Sequence, residues 1–162
     1  MSSTSDIKLD ILLSSCKYGD YNNFSKVIRV VCDNKADVNY FNGYVTPLTV
    51  AFHHKNFHIA KYLLNVPGID VNKPDVYGQT PLHFCCFHNN VDLLRMICKN
   101  HPQISMNMVD IYGRSPLLVA VDLDNIDTVK VMIKDARVDL RLRNCKGKTA
   151  LEMAKYNILI YW

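Results

Sequence analysis

Apolar residues along this chain recur in short blocks with the spacing of a helix. Within 58–64 the apolar positions are 59, 60, 63 and 64, and within 91–98 they are 93, 94, 97 and 98. The segment 128–133 continues the pattern. Each block predicts a short helix that buries one face. Each is preceded by a second motif containing a small polar residue and Pro-Leu, and a fourth copy with Ala-Leu follows the last block. These are Tyr44-Val45-Thr46-Pro47-Leu48-Thr49, Gly78-Gln79-Thr80-Pro81-Leu82-His83, Gly113-Arg114-Ser115-Pro116-Leu117-Leu118 and Gly147-Lys148-Thr149-Ala150-Leu151-Glu152. Measured at Pro47, Pro81, Pro116 and Ala150, the spacings are 34, 35 and 34.

The parts of the motif have separate physical roles. Thr or Ser before Pro is a helix N-cap, whose oxygen takes an orphan backbone N–H. Pro at the first helical position loses nothing, because its missing N–H has no partner there. Gly78, Gly113 and Gly147 allow positive φ in the preceding turn. Val38-Asn39, Val71-Asn72 and Met106-Asn107 each precede the next turn.

A period near 33 containing Thr-Pro-Leu-His resembles the ankyrin repeat. The nine residues from Asp75 to His83 lie close to that family's consensus. The resemblance covers about residues 7–157. It implies an all-α ankyrin-repeat solenoid of stacked helix–turn–helix units joined by β-hairpin loops. The chain is then a single domain, 1–162. It divides into a degenerate N-terminal repeat (7–39), full repeats at 40–73, 74–108 and 109–142, and an incomplete C-terminal repeat (143–162). The first repeat sets Leu12 to Gly19 as its first helix, with a long second helix over roughly 22–32. The last supplies a helix from Thr149 to about Tyr156, after which Ile158 to Trp162 either folds back as a cap or marks a shortened form. Repeat 2 has Asn42-Gly43 one residue early, which predicts a differently shaped hairpin tip.

In the family, partners touch the hairpin tips and the exposed side of the first helices. Carried onto this chain, the tip positions include Phe41, Tyr44, Val76, Tyr77, Gln79, Val109, Ile111, Tyr112, Arg114, Arg143, Cys145, Lys146 and Lys148. The helix positions include Lys17, Tyr18, His53, His54, Phe87, His88, Asp122, Leu123, Tyr156 and Asn157. Many are aromatic or branched apolar residues at places expected to face solvent. Such clusters mark interaction surfaces, in which aromatics and Arg dominate. Alternatively, Tyr77 and Tyr112 pack across neighbouring hairpins and only stabilise the stack.

Composition narrows the class. A hydrophobic share of 49% with 21% charged residues fits a folded protein. No apolar run is long enough for a membrane helix, and Met1 to Asp6 lacks a basic start and an apolar core. The expectation is a monomer in the cytoplasm, also reaching the nucleus, with no membrane association. The net charge of +4 comes without a basic stripe, which argues against nucleic acid. The late basic residues Lys134, Arg137, Arg141, Arg143, Lys146 and Lys148 read as a solvated face.

Three functional classes stay open. The first is a non-catalytic protein-binding module without a cofactor. The second is steric masking of a Rel-type transcription factor or a kinase. It rests on Leu118 to Asn125, which is similar to a stretch of the inhibitors of NF-kappaB, and on a likeness to short viral ankyrin proteins of that type. Those inhibitors' Asp-Ser-Gly signal and acidic tail are not found here. The third is a metal or thiol enzyme built on His53, His54, His58, Cys85, Cys86, His83 and His88. The repeat register opposes it. It places a turn between His54 and His58, seats Cys85 and Cys86 where first helices meet, and gives His83 a structural hydrogen-bonding role. No phosphate loop, zinc-protease or nucleophile-elbow motif occurs. The resemblance also implies asparaginyl hydroxylation as an option at Asn39, Asn72 or Asn107.

Overall fold

The computed structural model describes residues 4–33 and 36–160, without the side chains of 4–8, 21 and 156–160. The described chain is all-α and divides into two compact units, Met1–Val76 and Tyr77–Trp162.

The first unit holds α1 (Thr4–Tyr18), α2 (Tyr21–Cys32), α3 (Pro47–His53) and α4 (Phe57–Leu63). Helix α1 packs on α2 and α3, and α3 packs on α4. Their shared core includes Leu12, Cys16, Val27, Leu48, Phe52, Ile59 and Leu63. The second unit holds α5 (Pro81–Phe87), α6 (Val91–Asn100), α7 (Pro116–Asp122), α8 (Ile126–Met132) and α9 (Ala150–Ile160). Here α5 packs on α6 and α7, while α7 packs on α8 and α9. The core of this unit includes Leu82, Cys85, Cys86, Leu94, Ile97, Leu118, Ala120 and Met132. Among the described residues no helix is long and apolar enough to cross a membrane.

Helices seven residues long have little intrinsic stability. Their ends are therefore fixed chemically. Thr46 and Thr49 form a reciprocal capping box at the start of α3. Ser115 Oγ accepts the Leu118 N–H at the start of α7 (3.3 Å). Thr149 and Glu152 do the same for α9. Each such cap is worth about 1 kcal/mol. At α5 the third helical residue is His83, which is buried. Its Nδ1 accepts the Thr80 N–H (3.0 Å), so the ring proton sits on Nε2 and is donated to the Arg114 carbonyl (2.9 Å). The structural role expected of His83 is thus a bond from one helix start to the next hairpin.

The turns within each helix pair repeat one solution. Lys55, Asn89 and Asp124 all take the left-handed conformation. The next residue then donates its N–H back to the preceding helix: Asn56 to Ala51, Asn90 to Cys85 and Asn125 to Ala120. In the first repeat Gly19 takes this place (φ 64°), and the Asn56 side chain lies where a Cβ would stand. That amide donates to the Cys16 and Lys17 carbonyls (2.9 Å each). Asn125 makes the same pair of bonds to Cys86 and Phe87 in the second unit.

Two elements depart from the sequence reading. Helix α9 does not end near Tyr156 but runs to Ile160, since nothing in Asn157 to Ile160 breaks a helix. Residues 158–160 therefore do not fold back, and Tyr161 and Trp162 lie outside the described residues. The hairpin loops carry a single antiparallel bridge among the described residues, Arg143 with Thr149. Side-chain oxygens close the tips instead.

Candidate functional site

The hairpin tips at 42–45, 110–114 and 144–148 are each built around one side-chain oxygen that accepts backbone N–H groups. In the second unit Asp110 Oδ1 accepts the N–H groups of Tyr112 and Arg114 (2.9 Å each). Asn144 Oδ1 accepts those of Lys146 and Lys148 (2.9 and 3.0 Å). Gly78 must be glycine for reach as well as for φ, because a Cβ there would lie 3.1 Å from Asp110 Cα. That approach lets Ile111 N–H donate to the Tyr77 carbonyl (3.0 Å), linking consecutive tips. The outcome is a fixed backbone that holds Tyr77, Ile111 and Tyr112 outward, each about half exposed or more.

Arg114 ties this tip to the helix face. Its guanidinium meets Asp110 Oδ2 (2.9 Å), stacks over the Tyr112 ring (5.0 Å) and reaches Asp122 at the end of α7 (3.5 Å). Asp122 is thus a paired, half-exposed carboxylate rather than a freely solvated one. Nearby on helix ends, Phe87 and Leu123 are exposed and His88 is half-buried. The Phe87 and His88 rings meet edge to face (5.0 Å). Gln79 and Lys148 are half-buried, and Lys146 is exposed. Arg143 donates to the Gly147 carbonyl and to Glu152 (2.6 and 3.1 Å). Val109 and Cys145 are exposed as well.

In the first unit Phe41, Tyr44 and Val76 are exposed. Asn42 Oδ1 accepts the N–H of Tyr44 and of Val45, and Val76 N–H donates to the Tyr44 carbonyl (2.7 Å). The one-residue shortening of this loop therefore changes which amides the acceptor takes. A groove of about 410 Å³ runs between Lys17, Asn42, Val50, His53 and His54. His53 Nε2 bonds buried Asp75 (3.0 Å). His54 is pushed down by partial burial and then by Lys17 and His53, which favours its neutral form. Tyr18 is exposed beside Lys17, whereas the side chains of Tyr156 and Asn157 lie outside those described.

The geometry gives no support to nucleophile or metal chemistry. His54 follows α3 and His58 belongs to α4, with left-handed Lys55 between them. Burial raises the Cys85 and Cys86 thiols, with further repulsion from neighbouring thiols. Both are fully buried, so neither offers a thiolate. No group of three His, Cys, Asp or Glu among the described residues could hold a metal ion. The late basic residues are largely engaged locally: Arg137 pairs with Asp135 and bonds the Pro102 carbonyl, and Arg141 pairs with Asp139.

Sequence reasoning missed the Asp110–Arg114–Asp122 connection. A carboxylate and Arg four residues apart in a loop are a weak signal, and the third member lies on another element. A family model described as Ankyrin repeats (3 copies) matches residues 12–110. No curated protein matches the chain.

Proposed function

This chain belongs to the ankyrin-repeat family, and from that premise we propose that it is a non-catalytic module binding a partner protein. The second unit would contribute the tips bearing Tyr77, Gln79, Ile111, Tyr112, Arg114, Arg143, Lys146 and Lys148, with Phe87, His88, Asp122 and Leu123 beside them. The first would contribute Phe41, Tyr44 and Val76. The observation that carries this reading is the locked tip at Asp110. Its backbone is fixed by two N–H bonds while Ile111 and Tyr112 stay exposed. Rigid aromatic anchors lose little entropy on binding, which is why they dominate interfaces.

The test compares wild type with Tyr77→Ala plus Tyr112→Ala in affinity purification with mass spectrometry. Proteins retained by wild type and lost by the variant support the reading. An unchanged set of partners, or an unfolded variant, overturns it.

The narrower reading, masking of a Rel-type factor, rests on Leu118 to Asn125. That stretch has a local explanation in this chain. It is the buried face of α7, the left-handed Asp124 and the Asn125 that bonds back to α5. Asn56 and its neighbours repeat the same device in the first unit, so the stretch favours no particular partner.

A further inference from the structure

The 410 Å³ groove of the first unit presents donors and cations around an apolar floor. Its walls are Lys17 from α1, Asn42 and Val45 from the loop before α3, Val50 and His53 from α3, and His54 just after it. Val50 is buried and Val45 half-buried, while the polar residues of the rim are exposed. Lys17 Nζ lies over the Tyr18 ring (5.5 Å) and pairs with no carboxylate among the described residues. The His54 ring has no hydrogen-bond partner among the described residues. Both lone pairs of Asn42 Oδ1 are taken by the Tyr44 and Val45 N–H groups, so this side chain offers a ligand its Nδ2 hydrogens. The carboxylate bonded to a wall residue is that of Asp75, which is fully buried behind His53 Nε2 (3.0 Å). It fixes the imidazole but is sealed from anything that enters the groove.

Repeat register shows that this charge is particular to the first unit. Gly19, Lys55, Asn89 and Asp124 take the left-handed turn after each first helix. Two residues before them stand Lys17, His53, Phe87 and Asp122. The position is basic twice in the first unit, whereas the second unit places there a ring and an acid already held by Arg114. Packing of the repeat therefore does not require a base. The cost of the arrangement falls on His54, pushed down by partial burial and then by Lys17 and His53. An anion set between these groups would remove that repulsion.

We infer that this groove receives the carboxylate of a partner protein's Glu or Asp, with an adjacent apolar side chain over Val45 and Val50. The inference rests on the protein-binding reading above and names what the partner brings to the first unit. One lysine supplies one full charge, which a carboxylate matches. A phosphate dianion suits a cluster of arginines, and no arginine lines the groove among the described residues. Lys17 from α1, His53 and His54 around the end of α3, and Asp75 behind His53 are the titratable groups at the site. Asn42 and Val45 add none. A bound carboxylate raises the proton affinity of His54, so binding tightens as pH falls through the histidine range.

The probe is a fluorescein-labelled peptide, Gly-Ser-Leu-Glu-Leu-Glu-Ser-Gly, titrated with the full chain and followed by anisotropy. Saturable binding is expected, severalfold tighter at about pH 6 than at about pH 7.5. Gln in place of both Glu residues should weaken it by at least about tenfold. Lys17→Glu, at an exposed helix position, should do the same with helical content unchanged, while Lys17→Arg retains binding. His54→Ala should remove the pH dependence. Tyr77→Ala plus Tyr112→Ala should leave peptide binding unchanged, which separates this groove from the tips. Absence of saturable binding up to about 1 mM, equal binding of the Gln peptide, indifference to Lys17→Glu, or an affinity independent of pH overturns the inference. So does tighter binding of a peptide with phosphoserine in place of Glu, since the ligand would then be a phosphate. If partner capture depends on the tyrosines while the peptide fails, this inference falls alone; if the peptide binds while no partner is captured, the function proposed above falls.

Discussion

The two units solve the same loop problem with different chemistry. In the second unit Asp110 and Asn144 each accept N–H groups two and four residues ahead. In the first, Asn42 accepts those two and three residues ahead. Deleting one residue from the loop shifts the acceptor pattern but keeps the principle: one side-chain oxygen replaces the strand ladder a hairpin would otherwise need. The environments differ more than the geometry. Asn42 is exposed, whereas the Asp110 side chain is fully buried and bound to Arg114. The Asp110 tip has therefore committed a charge where the Asn42 tip has not, and the buried carboxylate of the first unit is Asp75, bonded to His53.

That difference predicts the largest effect. Asp110→Ala orphans two tip N–H groups and leaves the Arg114 guanidinium without its buried partner. Asp110 is fully buried, whereas Arg114 is partly exposed and also meets Asp122, so the loss should be about 2–3 kcal/mol. Asn42→Ala removes two exposed bonds and should cost about 1 kcal/mol. Urea titration of both variants checks the ratio. Equal losses would mean that Arg114 finds Asp122 or water as a full substitute.

Buried thiols give the next contrast. The first unit has Cys16, pushed up to about 12 by burial, and the second has both Cys85 and Cys86 raised by burial. Above pH 9 the unfolded chain releases these protons while the folded chain keeps them, so stability falls as pH rises. The loss approaches about 1.4 kcal/mol per pH unit for each thiol, and about twice that for the pair. Denaturation between pH 8 and 10.5 should show it. Cys85→Ala plus Cys86→Ala should remove more of the alkaline slope than Cys16→Ala does. A smaller step follows at one site: Cys85→Ser places a hydroxyl in a sealed seam and should cost about 1–3 kcal/mol at neutral pH. Thermal melting of that variant reads it directly.

Much of this framework was legible in the sequence, because short-range chemistry fixes it. The Thr-Pro and Ser-Pro caps and the apolar stripe at 59, 60, 63 and 64 each follow from a few adjacent residues, and the turn near Lys55 follows from the repeat register. The stripes at 93, 94, 97 and 98 and within 128–133 were legible as well, although Cys98 is only half-buried and Ile133 is exposed. Burial at those two positions depends on the next repeat, which a helix-period pattern cannot see. The role of Arg114 was hidden for the same reason. Its contacts join Asp110, Tyr112 and Asp122 only after the loop and α7 have been brought together. The length of α9 was misjudged because repeat register, rather than helix propensity, was used to end it.

The smallest effect on stability falls where the largest effect on binding is expected. Tyr77 and Tyr112 are about half exposed, and the bonds from Ile111 N–H to the Tyr77 carbonyl and from Tyr112 N–H to Asp110 use backbone atoms that an alanine retains. Replacing both by Ala should therefore change unfolding free energy by no more than about 0.5 kcal/mol, apart from the cation–π contact of Arg114 with Tyr112. That contact adds about 0.5–1 kcal/mol at an exposed site. A single Tyr112→Phe change retains the ring and so separates this term from the rest. If melting shows the double variant losing as much as Asp110→Ala, the rings are part of the packing between tips. Tip and core would then be one structure rather than a scaffold and the surface it presents.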